Sequence, residues 1–333
     1  MHEPPVRLAG NGGADLTQTR AMKIPYFELD AFTDRVFRGN PAGVCLLPHS
    51  LADATLKSIA AENNLAETAF VVARDEEFDL RWFTPTIEVD LCGHATLAAA
   101  FVIFREVHRN KNTVRFHTRS GMLSVTRESD ILTLDFPSRP PAPCAAPDAL
   151  NRGLGQRPSE VLKSRDYLVV FNSESEVRSL RPDFALLKTL DCLGIIASAQ
   201  GSDCDFVSRF FAPAAGIDED PATGSSHCTL IPYWAACLAK TRLHARQVSR
   251  RGGEFFGSSP ASACRLAAKP CFTCVGKLKS RMHSRNESPQ ENAKNTEKKF
   301  SLAPGFSPVE NTRRVEAVST AWRSEERRVG KEC

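Results

Sequence analysis

Between Arg209 and Trp234 the chain reads R-F-F-A-P-A-A-G-I-D-E-D-P-A-T-G-S-S-H-C-T-L-I-P-Y-W. An aromatic strand-like run ends at Pro213, an acidic turn follows, and Asp220-Pro221-Ala222-Thr223-Gly224-Ser225 opens an apolar segment wide enough for a buried helix. Small residues at such a junction let backbone N–H groups point outward at the positive end of the helix dipole. That arrangement binds carboxylates or phosphates. Asp220 stands at the mouth, where a raised pKa and a role in handling protons are expected. Its ordinary reading is turn chemistry, since Asp before Pro is common in turns.

The chain contains this arrangement twice. Arg81-Trp82-Phe83-Thr84-Pro85 repeats the pattern of Arg209-Phe210-Phe211-Ala212-Pro213. Cys92-Gly93-His94-Ala95-Thr96 then opens a second apolar segment, as Thr223-Gly224-Ser225 does. Two copies of strand, turn and buried helix predict duplicated domains whose helix N-termini face one cleft. Gly93 and Gly224 would there expose backbone N–H groups to a substrate carboxylate.

The elements that must position these residues follow from periodicity. Lys23 to Asp30 alternates like a strand, Arg38 to Gly43 is a turn, and Leu51 to Asn63 carries apolar residues at helical spacing before an Asn-Asn cap. Strands are expected at Ala69 to Ala73 and Leu80 to Phe83, a buried helix from Cys92 to Val107, and strands from Val114 to Phe136. Residues 137–147, rich in proline and alanine, read as a linker. The second half repeats the pattern: strands near 160–162, 167–171, 193–197 and 246–249, a helix near 184–190, and a helix to Leu238. The fold class is therefore α+β: two pseudo-symmetric domains, at 22–136 and 148–254, each a curved, mostly antiparallel sheet wrapped around a central helix.

Composition limits the function classes. The chain has 333 residues, 42% hydrophobic and 25% charged, long enough for two cores and ordinary for a globular protein. No run approaches a membrane span or a secretory signal, and 11 scattered cysteines suit a reducing cytoplasm. From Phe255 onward Lys+Arg number 15 against 8 Asp+Glu, leaving 28 against 31 before it. The basic character belongs to the tail, so a nucleic-acid partner is not expected. Residues 1–21 read as a disordered leader, and 255–333 as an aperiodic tail that leaves the second domain incomplete. The last eleven residues, R-S-E-E-R-R-V-G-K-E-C, resemble a translated sequencing adapter. Cys271-Phe272-Thr273-Cys274 lacks a second ligand pair, so no metal is expected there.

At Gly39-Asn40-Pro41, Leu65-Ala66-Glu67-Thr68-Ala69-Phe70, Arg81 to Pro85, Leu91 to Thr96 and Asp220 to Ser225 the chain resembles the PhzF-like family of phenazine biosynthesis. The resemblance covers about Met22 to Glu254. It implies a diaminopimelate-epimerase-like fold, a homodimer, and no metal or organic cofactor. It also implies that Glu67 is the acid/base carboxylate, that His94 and Asp220 support it, and that Ser225 lines the second helix mouth. Moving a proton between two carbons needs one group that takes it and returns it. A carboxylate screened from water, with its pKa raised toward neutrality, suits that task.

Alone, each residue has a plainer reading. Glu67 is then a solvated acid at a strand edge, His94 a helix-start residue bonded to backbone, and Ser225 a cap with no nucleophile elbow around it. His227 reads as a helix-face histidine. Three functions stay open: a cofactor-independent isomerase of a small carboxylate, a racemase or epimerase on the same scaffold, and a catalytically idle binding protein. Related epimerases use two opposed cysteines, one at each helix mouth; Cys92 could be the first, but Pro221 and Ala222 occupy the second mouth, where no thiol stands. That favours one-base isomerisation.

Overall fold

A computed structural model describes residues 22–258, 263–268 and 271–280. The first half runs β1 (Met22–Ala31), β2 (Asn40–Leu47), α1 (Asp53–Asn63), β3 (Glu67–Arg74), β4 (Glu77–Phe83), β5 (Glu88–Val89), α2 (Gly93–Val102), β6 (Thr113–Thr118), β7 (Gly121–Glu128), β8 (Ile131–Pro137) and β9 (Ala142–Pro143). The second runs α3 (Asp148–Leu154), β10 (Glu160–Lys163), β11 (Tyr167–Val170), α4 (Glu174–Ser179), α5 (Phe184–Leu187), β12 (Ile195–Gln200) and β13 (Phe206–Ala212). It continues with β14 (Ile217–Asp220), α6 (Gly224–Leu238), β15 (Arg242–Gln247), β16 (Gly253–Ser258), β17 (Ala263–Ala268) and β18 (Cys271–Ser280).

The two halves repeat one pairing scheme. In the first, β1 is antiparallel to β2, β2 parallel to β3, β3 antiparallel to β4, β4 parallel to β6, and β6 to β8 close antiparallel. The second repeats this with β10, β11, β12, β13, β15, β16 and β17. Strands β8 and β17, equivalent in the two schemes, pair with each other and join the halves. Each half then sends its next strand across: β9 pairs with β10, and β18 with β1.

This corrects the expected stop at Glu254. Strand β16 runs on to Ser258, and β17 and β18 occupy the places that β8 and β9 hold in the first half. Alternation is weak in this stretch, so its sequence does not read as strand; long-range pairing recruits it. The leader at 1–21 and residues 281–333, including the adapter-like end, lie outside the described residues.

Each half wraps its sheet around one uncharged helix. From His94 to Ala100, α2 is buried on every face, as expected of a helix apolar all round. Its last expected stretch, Ile103–Val107, forms a π-helical turn. In α6, Pro232 has no N–H to offer the carbonyl of Cys228. The Arg139 N–H, from the segment after β8, takes that carbonyl at 2.9 Å. The proline therefore ties the interdomain connection to the central helix of the second half.

The sequence repeat has a physical counterpart. Arg81 grips Glu88 through Nε and Nη2, both at 2.7 Å, and stacks over Phe83. Arg209 grips Glu219 at 2.8 and 2.9 Å and stacks over Phe211. Each planar fork fixes the turn that leads to its helix mouth.

Candidate active site

Both helices start without a side-chain cap, at Cys92 for α2 and Thr223 for α6. These cap residues are equivalent in the repeat, and so are His94 and Ser225. The mouths lie on either side of Phe136. A Cβ on Gly93 would come within 2.4 Å of the Phe136 ring, and one on Gly224 within 3.2 Å of Phe32 and 3.9 Å of Phe136. Glycine at 93 thus lets α2 pack closely on β8 within the first half, and glycine at 224 lets the second helix approach Phe32 and Phe136 of the first half.

Glu67, the first residue of β3, reaches the mouth of α2. Its Oε2 lies 3.2 Å from His94 Nε2, with both side chains largely buried. The contact is within ion-pair distance but lacks hydrogen-bond alignment, and neither atom has a hydrogen-bond partner among the described residues. The other ring nitrogen, His94 Nδ1, stands 3.5 Å from Cys92 Sγ. Burial works to raise the Glu67 carboxyl, but the charge and contacts of His94 prevail and hold it below the ordinary carboxylate range. For His94, burial opposes the charge, while Cys92 and Glu67 carry its pKa well above the usual value. The expectation of a raised Glu67 pKa therefore fails, because the contacts with His94 and Cys92 favour its ionised form over the effect of burial.

The raised carboxyl is Asp220. Burial pushes it up and the negative charge of Glu67 adds to the shift, against the pull of His94. Asp220 ends β14 within a closed network. Thr223 Oγ1 donates to its Oδ2 at 2.5 Å, and Asn40 Nδ2 to its Oδ1 at 2.9 Å. Gln247 Nε2 donates to its backbone carbonyl at 2.6 Å, while Gln247 Oε1 accepts from the Thr223 N–H at 2.8 Å. Asn40 Nδ2 also donates to the Ala222 carbonyl at 2.9 Å. Two acceptors on one nitrogen fix which way the amide points, and Asn40 Oδ1 is left buried without a partner among the described residues.

The structure thus brings Glu67 and His94 into contact and places Asp220 within their electrostatic reach, across the join between halves. Ser225 stands apart: its hydroxyl accepts from Arg165 Nη2 at 3.4 Å, and Asp166 holds that arginine at 2.9 Å. Asn40, Thr223 and Gln247 were not singled out from sequence. The first two lie within quoted motifs, a usable signal; Gln247, in a strand far along the chain, carried none. His227 is fully buried, stacked on Phe255 at 3.8 Å, with Nδ1 donating to the Thr223 carbonyl at 2.8 Å.

A family model described as phenazine biosynthesis-like protein matches residues 29–256. An uncharacterized isomerase of Pseudomonas aeruginosa is 54% identical over 232 residues, covering 70% of this chain and 90% of that protein. The human phenazine biosynthesis-like domain-containing protein is 41% identical over 261 residues, covering 70% and 91%. A crystal structure of a PhzF-family protein from Enterococcus faecalis superposes with a TM-score of 0.76 at 42% identity, covering 77% of this chain and 99% of that one.

Proposed function

The chain belongs to the phenazine biosynthesis-like protein family, with its diaminopimelate-epimerase-like fold, and on that premise we propose that this isomerase moves a proton between carbons of a small carboxylate. The observation that carries the reading is the buried contact of Glu67 with His94, whose facing atoms lack any other hydrogen-bond partner among the described residues. Burying polar atoms unpaired costs about 1–3 kcal/mol each, and a substrate that bonds both relieves that cost.

In this reading the substrate carboxylate lies against the uncapped N–H groups at Gly93 and at Gly224 and Ser225, where the helix dipoles favour an anion. Glu67 starts ionised. When His94 directs its N–H to the substrate oxygen, it supports the Glu67 carboxylate less and that carboxylate becomes more basic. Glu67 then takes the proton from one carbon while His94 stabilises charge on the oxygen. Glu67 returns the proton to another carbon on the same face. Asp220, whose carboxyl burial raises above the ordinary value, is held by Thr223 and Asn40 and acts as a hydrogen-bonding partner at the site. The residue equivalent to Cys92 in the repeat is Thr223, whose hydroxyl donates to Asp220, so a two-thiol racemase is disfavoured.

The test is solvent-deuterium incorporation into small unsaturated carboxylates. The native chain should place deuterium at carbon, and Glu67→Gln should lose about 10²–10⁴-fold in rate while still binding ligand. Equal incorporation by both, or neither deuterium incorporation nor isomerised product from the native chain across the panel, would refute the reading. Inversion at an α-carbon would indicate a racemase. A homodimer belongs to the same proposal and is checked by light scattering. Among the described residues no helix is long and apolar enough to cross a membrane.

A further inference from the structure

Glu67, Cys92 and His94 do more than set a carboxylate beside an imidazole. One ligand atom from each lies within 4.8 Å of the others. They combine a thiol, an imidazole and a carboxylate, which are the donors that a borderline-soft divalent cation takes. Zinc bond lengths of about 2.0–2.3 Å place tetrahedral donors roughly 3.4–3.6 Å apart. Cys92 Sγ stands 3.5 Å from His94 Nδ1 and Glu67 Oε2 3.2 Å from His94 Nε2, so each neighbour faces a different ring nitrogen. An ion takes only one of the two nitrogens, and the three donor atoms then lie within 4.8 Å of one another, so side-chain movement must close the third ligand onto it. Two of the three donors present buried atoms without a hydrogen-bond partner among the described residues.

We propose that Glu67, Cys92 and His94 form a binding site for a zinc-class divalent cation, with its fourth position open to the cleft; binding releases to solvent the thiol proton of Cys92 and the proton on the ligating His94 nitrogen. The ion takes up the Glu67 carboxylate, so it opposes proton transfer instead of assisting it, and zinc acts as a reversible inhibitor. The binding claim stands on the donor set alone; only the inhibitory consequence rests on the isomerase reading.

Cobalt(II) reports the site without any substrate. The full chain, stripped with chelator and dialysed, should bind one equivalent of cobalt with tetrahedral visible bands and a thiolate-to-cobalt charge-transfer band, both displaced by zinc. In Cys92→Ser the charge-transfer band should vanish, and Glu67→Gln should weaken binding by at least about 10–100-fold, the loss seen when only an outer-shell partner of a metal ligand is removed. Circular dichroism checks that each variant is folded. If Cys92→Ser does not fold, Glu67→Gln together with X-ray absorption at zinc on the native chain, expected to show one sulfur neighbour, decides the matter. No binding up to millimolar cobalt would overturn the site. So would an unchanged charge-transfer band in folded Cys92→Ser, or unchanged affinity in folded Glu67→Gln. Deuterium incorporation measured in chelator tests the isomerase reading separately, and either result can fail without the other.

Discussion

Asn40 donates through Nδ2 to Asp220 Oδ1 at 2.9 Å, across 180 positions of sequence and across the join between the two halves. The same nitrogen holds the Ala222 carbonyl, two residues before the start of α6. One amide on β2 therefore sets both the Asp220 carboxyl and the mouth of the second helix. Asn40 also shares a sheet face with Glu67, because Ala42, two residues along β2, is in register with Glu67 on β3.

Replacing Asn40 by Ala should release Asp220 and leave the Ala222 carbonyl buried without its donor. The expected cost is about 1–3 kcal/mol of stability, read from denaturant midpoints. Turnover should fall by more than ligand affinity, since Asp220 is displaced while the helix N–H groups remain. A variant with native stability and native turnover would show that the amide positions nothing.

Gly93→Ala places a methyl 2.4 Å from the Phe136 ring. Overpacking of this kind costs about 1–3 kcal/mol. Adding Phe136→Leu should restore part of the loss, because the obstructing ring is gone. If the double variant is no more stable than Gly93→Ala, the glycine is required for its N–H environment and not for packing.

Burial lowers the His227 pKa from its ordinary value to about 4. The unfolded chain therefore binds a proton there that the folded chain refuses between about pH 6.5 and 4. The contribution is absent above that window, and stability falls as pH drops through it, by up to about 3 kcal/mol. His227→Asn keeps a donor for the Thr223 carbonyl and removes the titration. Denaturant midpoints at pH 7 and pH 4.5 should lie closer together in the variant than in the native chain. An unchanged difference would mean that the imidazole is already protonated in the folded state.

Ending the chain at Glu254 removes β17, β18 and most of β16, and leaves β8, β15 and β1 with unpaired edges. Such open edges expose rows of unpaired N–H and C=O groups that invite association. The truncated chain should form aggregates or unfold without a cooperative transition. A soluble, cooperatively unfolding product would show that the last strands are dispensable.

Several features were legible in the sequence. The paired R-x-F segments, each leading through a turn to a glycine at the start of an uncharged helix, announced a duplicated fold because local chemistry dictates them. An arginine fork needs its carboxylate within the same hairpin, and a helix buried on all sides must be apolar on all sides. The helix over Asp53–Asn63 and its left-handed Asn64 cap likewise follow from short-range preferences.

What tertiary structure decided was whatever depends on partners distant in sequence. Residues beyond Glu254 become strands because β8 and β1 supply edges for them to pair with, more than a hundred positions away. The electrostatics of the site were hidden for the same reason. Glu67 looked like a carboxyl raised by burial until His94 was placed beside it, and the carboxyl that burial does raise is Asp220, whose partner Asn40 comes from the other half. Sequence names the ionisable groups, but their charge states depend on which of them share one desolvated space, and folding alone arranges that.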